Sequence, residues 1–125
     1  MSKTVLLVDD NPIQLSARQM VLSQAGLQVE VATSAESALA LLRTLSKSQD
    51  IGVIVTDHIM PQATGSEFVR LVRSVNPQVP IIVISGLPEA EKEYVGMNVL
   101  FRQKPCAPPE LISLVQSAVA KSEQR

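Results

Sequence analysis

Asp9, Asp10, Asp57, Ser85 and Lys104 are the residues of this chain whose types could do chemistry together. Three carboxylates held close repel one another, so such a cluster needs a cation or a shared proton. Oxygen-only ligands select a hard ion such as Mg²⁺, which accepts phosphate oxygens readily. A lysine and a hydroxyl suit phosphoryl oxygens, and an aspartate can act as nucleophile to form an acyl phosphate. Taken singly, each has a plainer reading. Asp-Asp after a strand is a turn or helix cap, Asp57 a loop residue, Ser85 a cap and Lys104 a solvated charge. His58 and Cys106 lie far apart without zinc-ligand spacing, so zinc is not expected. His58 reads as an exposed loop residue, and Cys106 as inert.

What would bring the five together is the order of elements. Thr4–Val8, Ile51–Thr56 and Pro80–Ile84 are continuous apolar runs, too short for helices and apolar on both faces. Such runs fit a parallel sheet covered by helices on both sides. Leu27, Val29 and Val31 alternate with polar residues, as in a strand with one less buried face. Met97–Phe101 reads as a fifth strand, and the run 80–84, the most apolar, as the central one.

Helical stretches separate these runs. Pro12 suits a first turn, Ile13, Ala17, Met20, Val21 and Ala25 recur at helical spacing, and Gly26 stops the helix. Thr33 and Glu36 read as a capping box for a helix through Leu42 that ends near Lys47. Phe68, Val69, Leu71 and Val72 mark a third helix, broken by Asn76-Pro77. Glu89–Tyr94 offers only a short one, and Pro109 begins the last.

Five βα units in order predict a single doubly wound α/β domain over residues 1–125 with helices on both faces. Ligands of such sheets bind beyond the carboxyl ends of the strands. Asp9 and Asp10, Asp57, Ser85 and Lys104 fall at four of those five ends.

Composition narrows the field. Hydrophobic residues make up 46% of the 125 positions, enough for a core, while aromatics are 2%, so aliphatic side chains must build it. A chain of this length buries about two-thirds of its unfolded surface. A formal net charge of -1 offers no general attraction for nucleic acid or anionic membranes. One cysteine rules out an internal disulfide and suits a reducing compartment. No apolar run is long enough to span a bilayer, and the first residues enter a strand-like run without a signal sequence. A cytoplasmic protein is expected.

The strings Val-Leu-Leu-Val-Asp-Asp-Asn-Pro (5–12), Val-Thr-Asp-His-Ile-Met-Pro-Gln-Ala-Thr-Gly (55–65), Ile-Ile-Val-Ile-Ser-Gly (81–86) and Phe-Arg-Gln-Lys-Pro (101–105) resemble the receiver domains of two-component response regulators. The resemblance covers essentially the whole chain and implies a flavodoxin-like fold with strand order 2-1-3-4-5. It implies that Asp57 is the phosphoacceptor and that Asp9, Asp10, Asp57 and the backbone carbonyl of Ile59 hold Mg²⁺. It implies that Ser85 and Lys104 bind the phosphoryl group, that Phe101 is the switch aromatic, and that the bond before Pro105 is cis.

The implied donor is a histidine kinase or histidine phosphotransfer protein, and the implied receiver of the signal a downstream effector protein or domain. The switched surface would lie around the fourth helix, fifth strand and fifth helix, and the resemblance admits a homodimer formed on phosphorylation. Direct nucleic-acid or membrane binding is not expected, nor is turnover catalysis beyond the domain's own modification.

Three features depart from the family pattern. Phe101 lacks the hydroxyl of the commoner tyrosine. Ile59 and Leu87 are apolar where they would influence water's approach to an acyl phosphate, so slow self-dephosphorylation is expected; a phosphoryl lifetime of seconds would contradict it. The interval from Ser85 to Lys104 is short, so the fourth helix should be short or irregular. A phosphorylation-independent interaction module of the same fold is the main alternative. A haloacid-dehalogenase-type phosphatase would want an Asp-x-Asp string after the first strand, whereas Asp9 and Asp10 are adjacent.

Overall fold

The computed structural model describes residues 3–44, 51–60 and 63–123. Parallel strands β1 (Thr4–Val8), β2 (Gln28–Ala32), β3 (Ile51–Asp57), β4 (Ile81–Ser85) and β5 (Leu100–Gln103) form one sheet in the order β2-β1-β3-β4-β5. Helices α1 (Pro12–Gln24), α2 (Ala35–Thr44), α3 (Gly65–Val75) and α4 (Pro108–Glu123) cover it, together with a 3₁₀ helix over Pro88–Tyr94. The doubly wound arrangement and its strand order match the sequence expectation. The strand in the middle is β3, with β4 interior beside it, so the most apolar run is not the central one.

Why the inner strands are apolar throughout is visible in their alternation. Leu6, Val8, Ile54, Ile81 and Val83 face the side of α2 and α3 with Phe68, Val69 and Val72. Val5, Leu7, Val53, Val55, Ile82 and Ile84 face the side of α1 and α4 with Leu15, Leu22, Leu111 and Val115. Both faces are covered, so neither set of alternate residues can be polar. Edge strand β2 keeps Gln28 and Glu30 exposed, as its alternating pattern requires.

Local chemistry sets the helix ends. Asn11 caps α1 by accepting the Ile13 and Gln14 N–H groups, and Pro12 occupies the first turn. The same helix ends in a Schellman motif: Gly26 N–H donates to Ser23 O, Leu27 N–H donates to Leu22 O, and Gly26 takes the left-handed conformation at φ 88°.

Several sequence expectations shift. In α1 the buried residues are Leu15 and Leu22, while Ile13 is 82% exposed and Met20 61% exposed. The helix carries two apolar stripes, and its packing on β2 and α4 selects the one that spacing did not favour. The capping interaction of α2 belongs to Ser34 and Ser37, whose N–H donates to Ser34 Oγ at 3.0 Å, and not to Thr33 and Glu36. The expected end of that helix near Lys47 lies outside the described residues. Leu71 is exposed on α3. Strand β5 begins at Leu100 instead of Met97, because Asn98 adopts a left-handed conformation (φ 57°), outside the extended region of a regular strand. The short, irregular fourth helix appears as the 3₁₀ segment, and α4 starts one residue early at Pro108.

Candidate functional site

Each chemically active residue sits at the carboxyl end of its strand because the strand itself must be apolar and the polar group can only follow it. Asp9 and Asp10 come directly after β1, Asp57 closes β3, Ser85 closes β4 and Lys104 follows β5. The sheet is parallel, so all four ends lie on one edge. Asp57 is in register with Ile84 of β4, which places Ser85 one residue further along the neighbouring strand.

Among the described residues, Asp9, Asp10 and Asp57 offer carboxylate oxygens that lie within 4.8 Å of one another. Asp9 and Asp57 are buried, and Asp10 is exposed. Asp9 Oδ1 accepts the Asn11 N–H at 3.0 Å, and Asp9 Oδ2 accepts hydrogen bonds from the Gln14 side-chain amide and from Arg18 Nη1, the latter at 3.4 Å. Lys104 Nζ reaches both oxygens of Asp57, at 3.0 Å and 3.2 Å. Burial pushes the Asp57 carboxyl above the usual aspartate range, and the Lys104 ammonium pulls against that rise.

Ser85 is buried, and its Oγ accepts the Leu87 N–H at 3.0 Å, which leaves the hydroxyl proton available to donate. The Lys104 N–H donates to Ser85 O at 2.7 Å and ties the two strand ends together. The Lys104-Pro105 peptide is cis, as the family resemblance implied. Ile59 lies two residues past Asp57 with its side chain exposed, and Phe101 is partly buried on β5.

The donor set is all oxygen. Its three negative charges face two cations, Lys104 on Asp57 and Arg18 on Asp9, so a net negative charge remains. That composition fits a hard divalent metal ion and gives no softer ligand for zinc.

One residue was misread from sequence. His58 is buried, not exposed: its ring shares a 2.7 Å hydrogen bond between Nδ1 and Tyr94 Oη, and Nε2 lies 3.5 Å from Glu93 Oε2. Ser66 Oγ donates to Glu93 Oε1 at 2.8 Å and closes the group. No spacing rule joins residue 58 to residue 94, and Thr56 and Asp57 separate His58 from the apolar part of β3, so no local signal marks its burial. Cys106 is partly buried, and desolvation pushes its thiol pKa up, away from reactive thiolate.

Comparison with known proteins agrees with this geometry. The response regulator receiver domain profile matches residues 5–116. Over 120 residues the chain is 35% identical to the hydrogenase transcriptional regulatory protein HoxA of Cupriavidus necator, covering 93% of this chain and 24% of that protein. It is 32% identical over 99 residues to the autoinducer 1 sensor kinase/phosphatase LuxN of Vibrio campbellii, covering 79% of this chain and 11% of that one.

The chain thus spans a quarter or less of the length of these two curated relatives. Chemotaxis protein CheY4 of Vibrio cholerae superimposes with a TM-score of 0.79 at 32% identity, covering 94% of this chain and 99% of that one. A parallel five-stranded sheet gathers an acidic group and a lysine on one edge, and the sequence match runs through every strand that supplies them. This chain belongs to the response regulator receiver domain family of two-component signalling.

Proposed function

We propose that Asp57 is the phosphoacceptor of this receiver domain and that it takes its phosphoryl group from a phosphohistidine on a histidine kinase or histidine phosphotransfer protein. The observation that carries this reading is the Lys104 ammonium on both oxygens of a buried Asp57, beside two further carboxylates. Asp9, Asp10, Asp57 and the backbone carbonyl of Ile59 would hold Mg²⁺. When bound, that ion supplies positive charge for the phosphoryl oxygens.

The chain's own residues do the rest. An Asp57 carboxylate oxygen forms a bond to phosphorus as the donor's P–N bond breaks; the imidazole leaves with that electron pair and takes up a proton. Lys104 fixes the carboxylate's direction before transfer and offsets charge on the transferring group. The product carries close to two negative charges, and the free Ser85 hydroxyl proton and Lys104 ammonium are the donors that favour it.

The response is a shift between two populated arrangements. Movement of Ser85 toward the phosphoryl group leaves space for Phe101, whose ring now lies tilted against Tyr94 at 5.9 Å. The surface altered is that of the 3₁₀ helix, β5 and α4. A downstream effector protein or domain, or a second copy of the chain, would read that surface inside the cell. The domain assists its own modification and does not turn over a separate substrate.

Incubation with acetyl phosphate and Mg²⁺, followed by intact-mass measurement, should add one phosphoryl group to the wild type and none to Asp57→Asn. Labelling that persists in the Asn variant, or that ignores Mg²⁺ removal, would sink the proposal.

A further inference from the structure

The acidic site holds a cation outside the strings that carry the family resemblance. Gln14 and Arg18, one turn apart on α1, lie along the same stripe of the helix and both reach back to Asp9 Oδ2. Asp9 is 1% exposed, and the Arg18 side chain 13% exposed.

A divalent ion entering this group therefore meets two resident cations. Lys104 belongs to Asp57. Arg18 is additional, and it faces a carboxylate that the ion would need. A carboxylate oxygen has about two lone-pair sites, and Gln14 with Arg18 fills those of Asp9 Oδ2. An ion that takes Asp9 must displace the guanidinium or sit against its charge. Beside Arg18 lies a cleft lined by Ala17, Val21, Lys104, Pro105 and Cys106, into which a displaced guanidinium can turn.

We propose that Arg18 is a built-in counter-cation of the acidic site, which competes with the divalent ion and sets the ion concentration at which the domain becomes ready for phosphorylation. This rests on the reading of the three carboxylates as a divalent-metal site. Arg18 acts here as a positioning residue, through Asp9.

Calorimetric titration of Mg²⁺ into wild type, Arg18→Met and Arg18→Lys at fixed ionic strength tests the idea. Removing a charged hydrogen-bond partner is expected to tighten Mg²⁺ binding about tenfold in the Met variant, ~1.4 kcal/mol. The Lys variant keeps the charge and should stay close to wild type. Wild type and Met variant with equal affinity, or a weaker Met variant, overturns the inference and leaves the metal site standing. Absence of Mg²⁺ uptake by both overturns the inference and the metal site together. Should the Met variant not fold, the wild type decides: the Arg18 Nε–H resonance is expected to move as Mg²⁺ saturates the protein, and a resonance that stays in place at saturation overturns the competition.

Discussion

Tyr94 is the residue at which the acidic site and the far side of the sheet edge meet. Phe101 has no hydroxyl, but its ring lies against Tyr94, and the Tyr94 hydroxyl bonds to His58, the neighbour of Asp57. Replacing that hydroxyl leaves His58 Nδ1 buried without its partner. Tyr94→Phe is therefore expected to cost about 1–3 kcal/mol at neutral pH. Burial raises the Tyr94 pKa above its ordinary value, so the folded state holds the phenolic proton more tightly than the unfolded chain. A raised folded pKa contributes fully below the unfolded pKa and is lost above it. Urea unfolding should give a constant wild-type advantage from neutral pH upward that shrinks beyond about pH 10. An advantage that grows with alkalinity would show that Tyr94 is not held in its protonated form.

At the scale of elements, the turn from β3 into α3 couples Asp57 to the helix that follows. Gly65 N–H donates to His58 O at 2.6 Å, and Thr64 with Glu67 forms a capping box at the start of α3. A Cβ on Gly65 would stand 2.4 Å from Tyr94 Oη, 2.7 Å from Asp57 O and 2.9 Å from His58 Cα. Two of those neighbours are backbone, so they cannot turn aside. Gly65→Ala should destabilise the domain by about 1–3 kcal/mol and slow acetyl phosphate labelling of Asp57. A stable Gly65→Ala protein with unchanged labelling would show that the turn has room to spare.

Arg73 makes a comparable tie at the other end of α3, donating to the carbonyls of Asn76, Val79, Met97 and Asn98. It thereby fixes the chain just before β5. These ties explain why β5 starts where it does: its approach is held in left-handed turns by the C-terminal end of α3.

For the molecule as a whole, two cores flank one sheet: the one on the side of α1 and α4 is aliphatic, while Phe68, Tyr94 and Phe101 all pack on the side of α2 and α3. The apolar stripe of α1 provides a test of that arrangement. Leu22→Ala should cost about 2–5 kcal/mol, because it opens a cavity between α1 and the sheet. Ile13→Ala, on the exposed stripe, should stay within about 0.5 kcal/mol. Denaturant midpoints decide between them, and a larger loss for Ile13→Ala would mean the helix is rotated from its position here. Among the described residues no helix is long and apolar enough to cross a membrane.

The alternation of apolar runs and helical stretches, and the placing of Asp9, Asp10, Asp57, Ser85 and Lys104 at strand ends, were legible in the sequence. A strand covered on both faces must be apolar throughout, and its polar groups can appear only where it stops. The choice between the two stripes of α1, the burial of His58 and the Arg18 contact with Asp9 were decided by tertiary structure alone. The first two depend on which surface meets a distant segment, and the third on how α1 is turned against the end of β1. Local spacing records a helix's period but not its rotation against the sheet, and it says nothing of a histidine's partner 36 residues away.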